Sequence, residues 1–177
     1  MMIKMTKFQN EQQDLLAFMT DSDWPYHVED HASESRLAKT VESGWYTDRR
    51  ETFWVMDHDE KIGLLVIHDI DDTIPVFDLR LAEKARGKGT GSEVLEWLKT
   101  YLFDRKEPKI RIEAYTRVDN IGMRKAFSKS GFVKEGYLRD AWEGNHGELH
   151  DALCYSAIRS DWQKGTLRPI KLNEEPF

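Results

Sequence analysis

A single cysteine, Cys154, stands among 177 residues, so no internal disulfide can form. It lies in an apolar, strand-like run with Ala152, Leu153 and Tyr155, where a small buried hydrophobe is expected rather than a nucleophile. Long apolar runs are missing too: neither a signal peptide nor a membrane-length segment is visible, and a reducing cytoplasm is the expected compartment. There is no surplus of positive charge. A formal net charge of -6 weighs against a general binder of nucleic acid or of anionic membranes, and makes a cationic guest electrostatically easier. The six histidines are scattered, and Gly147 between His146 and His150 argues against a helical metal pair. Asp69, Asp71 and Asp72 lack the spaced ligands, glycine and closing glutamate of an EF-hand loop, so a solvated turn is expected there and no metal.

What is present suffices for one core. With 40% hydrophobic residues, the chain predicts a single domain over residues 1–163. Residues 164–177 carry Gly165, Pro169 and Pro176 with little periodicity and read as an extended or mobile tail.

The most informative stretch is 76–92. Phe77, Leu79 and Leu81 alternate with Asp78 and Arg80, as on a strand with two unlike faces. From Val94 the period changes, and Val94, Leu95, Leu98, Tyr101 and Leu102 form one stripe of an amphipathic helix. Between them lies Arg86-Gly87-Lys88-Gly89-Thr90-Gly91. Each glycine costs about 1 kcal/mol against alanine inside a helix, so three in alternation suit a turn that must approach something closely. The first amides of a helix point outward and carry partial positive charge, which makes such a turn a phosphate cradle. Arg86 and Lys88 add mobile charge. The same turn can also join a strand to a helix with no ligand at all. The spacing is neither G-x-G-x-x-G nor a Walker loop, which weakens the dinucleotide and nucleoside-triphosphatase readings.

Three blocks carry a resemblance. Arg86-x-x-Gly89-x-Gly91 resembles the pyrophosphate-binding signature of the GNAT N-acetyltransferases. Residues 120–132, from Asn120 through Phe127 and Lys129 to Gly131-Phe132, resemble that superfamily's helix-to-strand segment. Gly136-Tyr137-Leu138-Arg139-Asp140, followed by His150-Asp151 and Tyr155-Ser156, is similar to the hairpin of the RimJ/RimL-like branch. The resemblance implies an α/β fold: a mixed, mostly antiparallel sheet with a central, splayed parallel strand pair flanked by helices. It implies acetyl-CoA as co-substrate, cradled by Arg86, Gly87, Lys88, Gly89, Thr90, Gly91 and Ser92. Backbone groups of Leu79, Arg80 and Leu81 would pair with the pantetheine arm, and Asn120 would reach it from the opposite lip. By itself, Asn120 is equally the N-cap of a helix. Many members place a tyrosine where this chain has Phe127, which cannot donate a proton and is expected to pack beside the pantetheine or acetyl group. Ser128, Tyr115, water or unassisted thiolate departure remain as alternatives.

The remaining elements are read along the chain. Residues 3–8 predict a strand, and Asn10-x-x-Gln13 a capping box that opens a helix ending near Asp21. Residues 31–41 predict a second helix stopped at Gly44. Two strands, 52–57 and 62–68, are joined by the turn 58–61. A strand over 110–115 follows the glycine-turn helix and would lie parallel to 76–81. Two further strands flank the loop 143–147.

Transfer by direct attack on a thioester needs a proton acceptor for the amine. Asp78 and Glu113, on the two parallel strands, are the candidates, with Asp151 third; Arg80 and Arg111 offer each of the first two an ordinary ion pair instead. Trp24, Tyr26, Trp45 and Tyr46 are candidate acceptor contacts or plain core cover, and Trp142, Glu143 and His150 suit an ammonium guest or a solvated loop end. The expected partners are acetyl-CoA and a primary amine, either a protein N-terminus or a small amine such as a polyamine or aminoglycoside, with no nucleic acid and no membrane. A homodimer is compatible with the sequence. A non-catalytic CoA-binding or sensing module is the alternative from another class.

Overall fold

Seven strands form one sheet in the order β1-β2-β3-β4-β5-β7-β6, and the alternating stretch around residue 76 lies at its centre. The computed structural model describes residues 3–27, 33–144, 146–172 and 174. The strands are β1 (Lys4–Lys7), β2 (Glu51–Asp57), β3 (Glu60–His68), β4 (Val76–Leu81), β5 (Arg111–Arg117), β6 (Val133–Glu143) and β7 (Leu149–Ile158). The helices are α1 (Gln12–Thr20), α2 (Glu34–Glu42), α3 (Thr90–Phe103), α4 (Ile121–Lys129) and α5 (Arg159–Lys164). Every neighbouring pair is antiparallel except β4 and β5. Among the described residues no helix is long and apolar enough to cross a membrane.

The sheet is covered on both faces, and the strand period decides what goes where. Phe53 and Val55 of β2, with Leu65 and Ile67 of β3, join Val94, Leu95, Leu98 and Leu102 of α3 and Phe127 of α4 in one core. Trp54, Leu64 and Val66 point the other way, into a second core with Leu15, Phe18 and Met19 of α1 and Leu37 of α2. Burial on both faces explains the continuous apolar run of β3. Leu98 is fully buried, worth about 1.5–3 kcal/mol of transfer free energy on this scale.

Several local readings are corrected. The capping box at Asn10 is not formed: Glu11 is the N-cap of α1, makes no side-chain cap bond, and accepts from the Gln9 amide instead. Asn10 itself sits at φ 64°. The turn of the first hairpin is His58-Asp59 alone, since Glu60 and Lys61 continue the ladder opposite Asp57 and Met56. Ser33 caps α2, so that helix starts later than residue 31, and residues 31 and 32 lie outside the described ones. Cys154 is half-buried rather than buried: its cross-strand partners are the exposed Tyr115 of β5 and Gly136 of β6, which has no side chain to cover it. Burial and the nearby Glu113 carboxylate raise its thiol pKa. The start of the presumed tail, Lys164, closes α5, and the described residues after it are irregular. Asn145 of the β6–β7 loop is not among the described residues.

Gly63 of β3 pairs with Leu81 of β4, and a Cβ there would meet the Arg80 carbonyl oxygen at 2.8 Å and Leu81 Cδ2 at 2.7 Å. The missing side chain therefore lets β4 lie close against β3. Gly63→Ala is expected to displace the end of β4, destabilise the fold by about 1–3 kcal/mol and weaken CoA binding, measurable by denaturant titration and calorimetry.

Candidate active site

The site starts at a divergence. β4 pairs with β3 from Val76 to Leu81, and β5 pairs with β7 from Arg111 to Arg117, yet β4 and β5 share only the register pair Val76–Glu113. The Glu113 amide donates to Pro75 O at 3.1 Å and the Ile110 amide to Thr73 O at 3.0 Å, after which the strands part. Beyond that point the facing backbone edges of β4 and β5 have no strand partner among the described residues. Such edges attract an extended chain that brings its own amides.

Alternation on β4 then separates two clefts. Leu79 and Leu81 line one, of about 430 Å³, together with Arg86, Gly87, Gly89, Gly91 and Ser92 of the turn and Asn120, Gly122, Met123, Lys125, Ala126 and Lys129 around α4. Asp78 and Arg80, facing the other way, line the second, also about 430 Å³, with Arg36, Leu37 and Thr40 of α2 and Trp45, Tyr46, His68 and Trp142. One strand thus supplies the floor of both.

The turn at the head of α3 has the geometry of an anion cradle. Gly87 and Gly89 lie at φ 73° and 91°, in the left-handed region where a side chain is strained. Gly89 is the N-cap of α3 and makes no side-chain cap bond. A Cβ at Gly91 would meet Ala126 Cβ at 3.5 Å and Leu81 Cδ1 at 3.8 Å, so the absence of one keeps the cleft open between α3 and α4. Arg86 is not mobile as its exposed position in the turn suggested: Nε donates to Leu81 O at 2.8 Å and NH2 to Asp23 O at 2.6 Å, with the guanidinium over Trp24. Lys125 and Lys129 supply cleft-lining charge from α4.

The second cleft is organised around Asp78. Its Oδ1 lies 3.1 Å from His27 Nε2, and its Oδ2 accepts from Arg80 Nε at 3.3 Å. Burial pushes this carboxyl up, but His27, Arg80 and His68 outweigh it and hold it far below the usual carboxylate range. His68 Nδ1 accepts from Arg50 Nε at 3.0 Å. Burial drives the His68 imidazole down, Asp78 and Asp69 pull it up, and Arg50 lowers it again, leaving a net downward shift.

The other sequence candidates are placed as follows. Glu113 shares the Asp78 face of the sheet but accepts from Arg111 Nε at 2.9 Å and Tyr115 OH at 3.0 Å, and lines neither cleft. Burial and Glu113 push the Tyr115 hydroxyl up to about 12. Asp151 sits on the far hairpin, accepting from Tyr137 OH and the Asp140 amide, away from both clefts. Glu143 is exposed at the end of β6 and His150 lies near Glu148; of that group only Trp142 reaches the second cleft. Trp24 is buried, donates Nε1 to Met19 O at 2.8 Å and, with Tyr26, borders the first cleft rather than the second. Asn120 Oδ1 accepts from the Met123 amide, capping α4 on the cleft lip. Phe127 is 1% exposed, stacked on Tyr155 and against Phe77, and is absent from the cleft lining. Lys88 is exposed and Thr90 buried. Sequence reasoning missed His27, Arg36, Thr40, His68 and the α4 lysines. Only His27 carried a signal, as the end of the aromatic turn Trp24-Pro25-Tyr26-His27. Among the described residues no group of three His, Cys, Asp or Glu side chains is placed to hold a metal.

A family model described as the acetyltransferase (GNAT) domain matches residues 3–133. No protein with a curated description matches significantly. Among solved structures, a chimera of Vibrio cholerae spermidine N-acetyltransferase SpeG and hSSAT superposes with a TM-score of 0.79 at 19% identity, covering 91% of this chain and 98% of that one. The V. cholerae spermidine N-acetyltransferase in complex with CoA and spermine gives 0.76 at 19%, over 91% and 98%. RimL, a ribosomal L7/L12 α-N-protein acetyltransferase in complex with CoA, gives 0.77 at 19%, over 88% and 93%. At these identities the superpositions establish the fold.

Two outcomes are expected. Gly89→Val, in a chain that still folds, should weaken acetyl-CoA binding about tenfold or more, the equivalent of one charge-assisted bond, read by calorimetry. Because the His68 pKa is lowered on folding, the unfolded chain binds more protons just below the free imidazole value of about 6.5. Stability should therefore fall as pH drops through about 6.5, and His68→Gln should flatten that part of the denaturation profile.

Proposed function

Because the chain belongs to the GNAT acetyltransferase family, we propose that it moves the acetyl group of acetyl-CoA directly onto a primary amine, across the gap between β4 and β5. The observation that carries this is the division of β4: Leu79 and Leu81 floor a cleft headed by an anion cradle, while Asp78 and Arg80 floor a second cleft on the opposite face. A donor in the first and an amine in the second would meet at the strand.

The residues fit the co-substrate. Left-handed glycines and the uncapped start of α3 suit the pyrophosphate, and the unpaired edges of β4 and β5 suit the amides of an extended arm. Lys125 and Lys129 favour further phosphate charge. A backbone amide among Leu79, Arg80 and Leu81 is the donor for the developing oxyanion. Asp78, held ionised, attracts the ammonium form of the acceptor into the second cleft. With Phe127 in the core and the Tyr115 hydroxyl donated to Glu113, neither serves as the acid, and the thiol, of pKa about 8.5 when free, departs as thiolate.

The acceptor we favour is a protein N-terminal amine. Trp45, Tyr46 and Trp142 line the second cleft and offer apolar surface to a peptide side chain, and Asp78 is the one carboxylate among its described lining residues, where a polycation gains most from several.

Thiol release from acetyl-CoA, followed with N-terminal peptides, spermidine and an aminoglycoside alongside calorimetric CoA binding, tests both parts. Release stimulated most by a peptide is expected. Greater stimulation by spermidine would overturn the peptide assignment, and CoA binding without release above hydrolysis by any amine would overturn the transfer itself.

A further inference from the structure

His27 is, among the described residues, the one side chain that lines both clefts. It ends the turn that begins at Trp24, whose carbonyl accepts from the His27 amide at 3.0 Å, and its ring stands edge-on to the Trp24 indole. Two arginines pin this turn across the open ends of the splayed strands. Arg86, just after β4, donates to Asp23 O, and Arg117, at the end of β5, donates to Pro25 O at 3.3 Å. The imidazole is therefore held where the two clefts meet.

Its two nitrogens differ. Nε2 is 3.1 Å from the Asp78 carboxylate, which fixes a proton on that nitrogen. Nδ1 is buried and has no hydrogen-bond partner among the described residues. A buried orphan of this kind is costly, and its place at the junction of two ligand clefts gives that cost a purpose.

Resting on the acetyl-transfer reading, we propose that His27 is the proton acceptor of the reaction, taking the amine's proton on Nδ1, and that Asp78 is the positioning residue that holds its tautomer. The bound ammonium first gives one proton to solvent, and the neutral amine nitrogen then bonds to the acetyl carbon while the carbonyl electron pair moves onto oxygen. One N–H bond breaks and its proton passes to Nδ1. Collapse of the oxyanion breaks the C–S bond and leaves the electron pair on sulfur, giving amide and thiolate, and the imidazolium then returns its proton to solvent. Nδ1 is reached by the kind of small ring shift that tightens catalytic hydrogen bonds once substrate is present. The described charged groups around the two clefts on His27's side are Asp78 and Arg80 of β4, His68 of β3, Arg36 of α2, Arg117 at the end of β5, and Arg86, Lys125 and Lys129 across the first cleft. Among the described residues Asp78 is the one carboxylate of this group, and it is the partner that orients the imidazole.

The test uses the full chain. His27→Gln keeps an amide N–H for Asp78 but no base; turnover should fall about 100-fold or more. Acetyl-CoA affinity should change far less than turnover, the acid limb of the wild-type kcat/KM profile should vanish, and added imidazole should restore part of the turnover of His27→Ala. Retained turnover with the wild-type pH profile would overturn the assignment. Nitrogen-15 NMR of the histidines reads the tautomer without any turnover: wild type should show Nε2 protonated and Nδ1 bare, and Asp78→Asn should lose that preference. A neutral ring protonated on Nδ1 would overturn the proposal, whether or not any amine is acetylated. Absence of thiol release in wild type counts against the transfer reading alone, and the NMR result then decides for His27.

Discussion

The site depends on two parallel strands that cannot stay together. β4 is drawn into an antiparallel ladder with β3 and β5 into one with β7, and only Val76 and Glu113 bridge them. Sheet twist rotates neighbouring strands by about 20–25°, so a pair joined at one end and anchored to different partners opens at the other. The opening exposes backbone amides and carbonyls in the middle of a sheet, where an unpaired group is costly. A ligand with amides in extended conformation relieves that cost, and the fold thereby selects an elongated, amide-bearing molecule before any side chain is considered.

Everything around the opening keeps it from closing or collapsing. Gly63 lets β4 sit tightly on β3, fixing one lip. α3 is anchored by fully buried Val94, Leu95, Leu98 and Leu102, and Lys99 ties it to the end of α4 by donating to Ser130 O at 2.6 Å, fixing the other side of the first cleft. The loop through Trp24 and His27 is strapped to both strands by Arg86 and Arg117. Arg86 therefore acts chiefly as a brace, with its charge left at the rim of the cradle.

The strand and helix periods and the glycine turn were legible in the sequence because each is a local pattern, whereas the mixed sheet with its splayed pair was what the resemblance implied. The alternation Phe77, Asp78, Leu79, Arg80, Leu81 announced two unlike faces, and the faces became two clefts. Lys125 and His68 were not legible, since nothing local marks a residue that only tertiary packing turns toward a ligand, and Lys129 stood in a resembled block without a role read for it. Asn10 and Gln13 mimicked a capping box, but the backbone at Asn10 is left-handed and the helix begins later, at a residue whose carboxylate is used elsewhere. Phe127 fitted the motif of its block, yet aromatic packing with Phe77, Phe132 and Tyr155 takes its ring into the core.

Electrostatics around Asp78 shows why attraction of the amine and removal of its proton require different groups. A carboxylate that binds an ammonium well must stay ionised, and His27, Arg80 and His68 ensure that it does. The same stabilisation makes its conjugate acid too strong to hold a proton taken from an amine at neutral pH, because a useful general base has a pKa near the working pH. A site that relied on Asp78 for both tasks would perform the second poorly. In the proposed reaction the imidazole beside the carboxylate separates them: the carboxylate supplies permanent charge and orientation, and the ring supplies the nitrogen that takes the proton. The short distance from Asp78 to His27 suits that proposed separation, since one anion could both draw the substrate in and fix the ring that receives its proton.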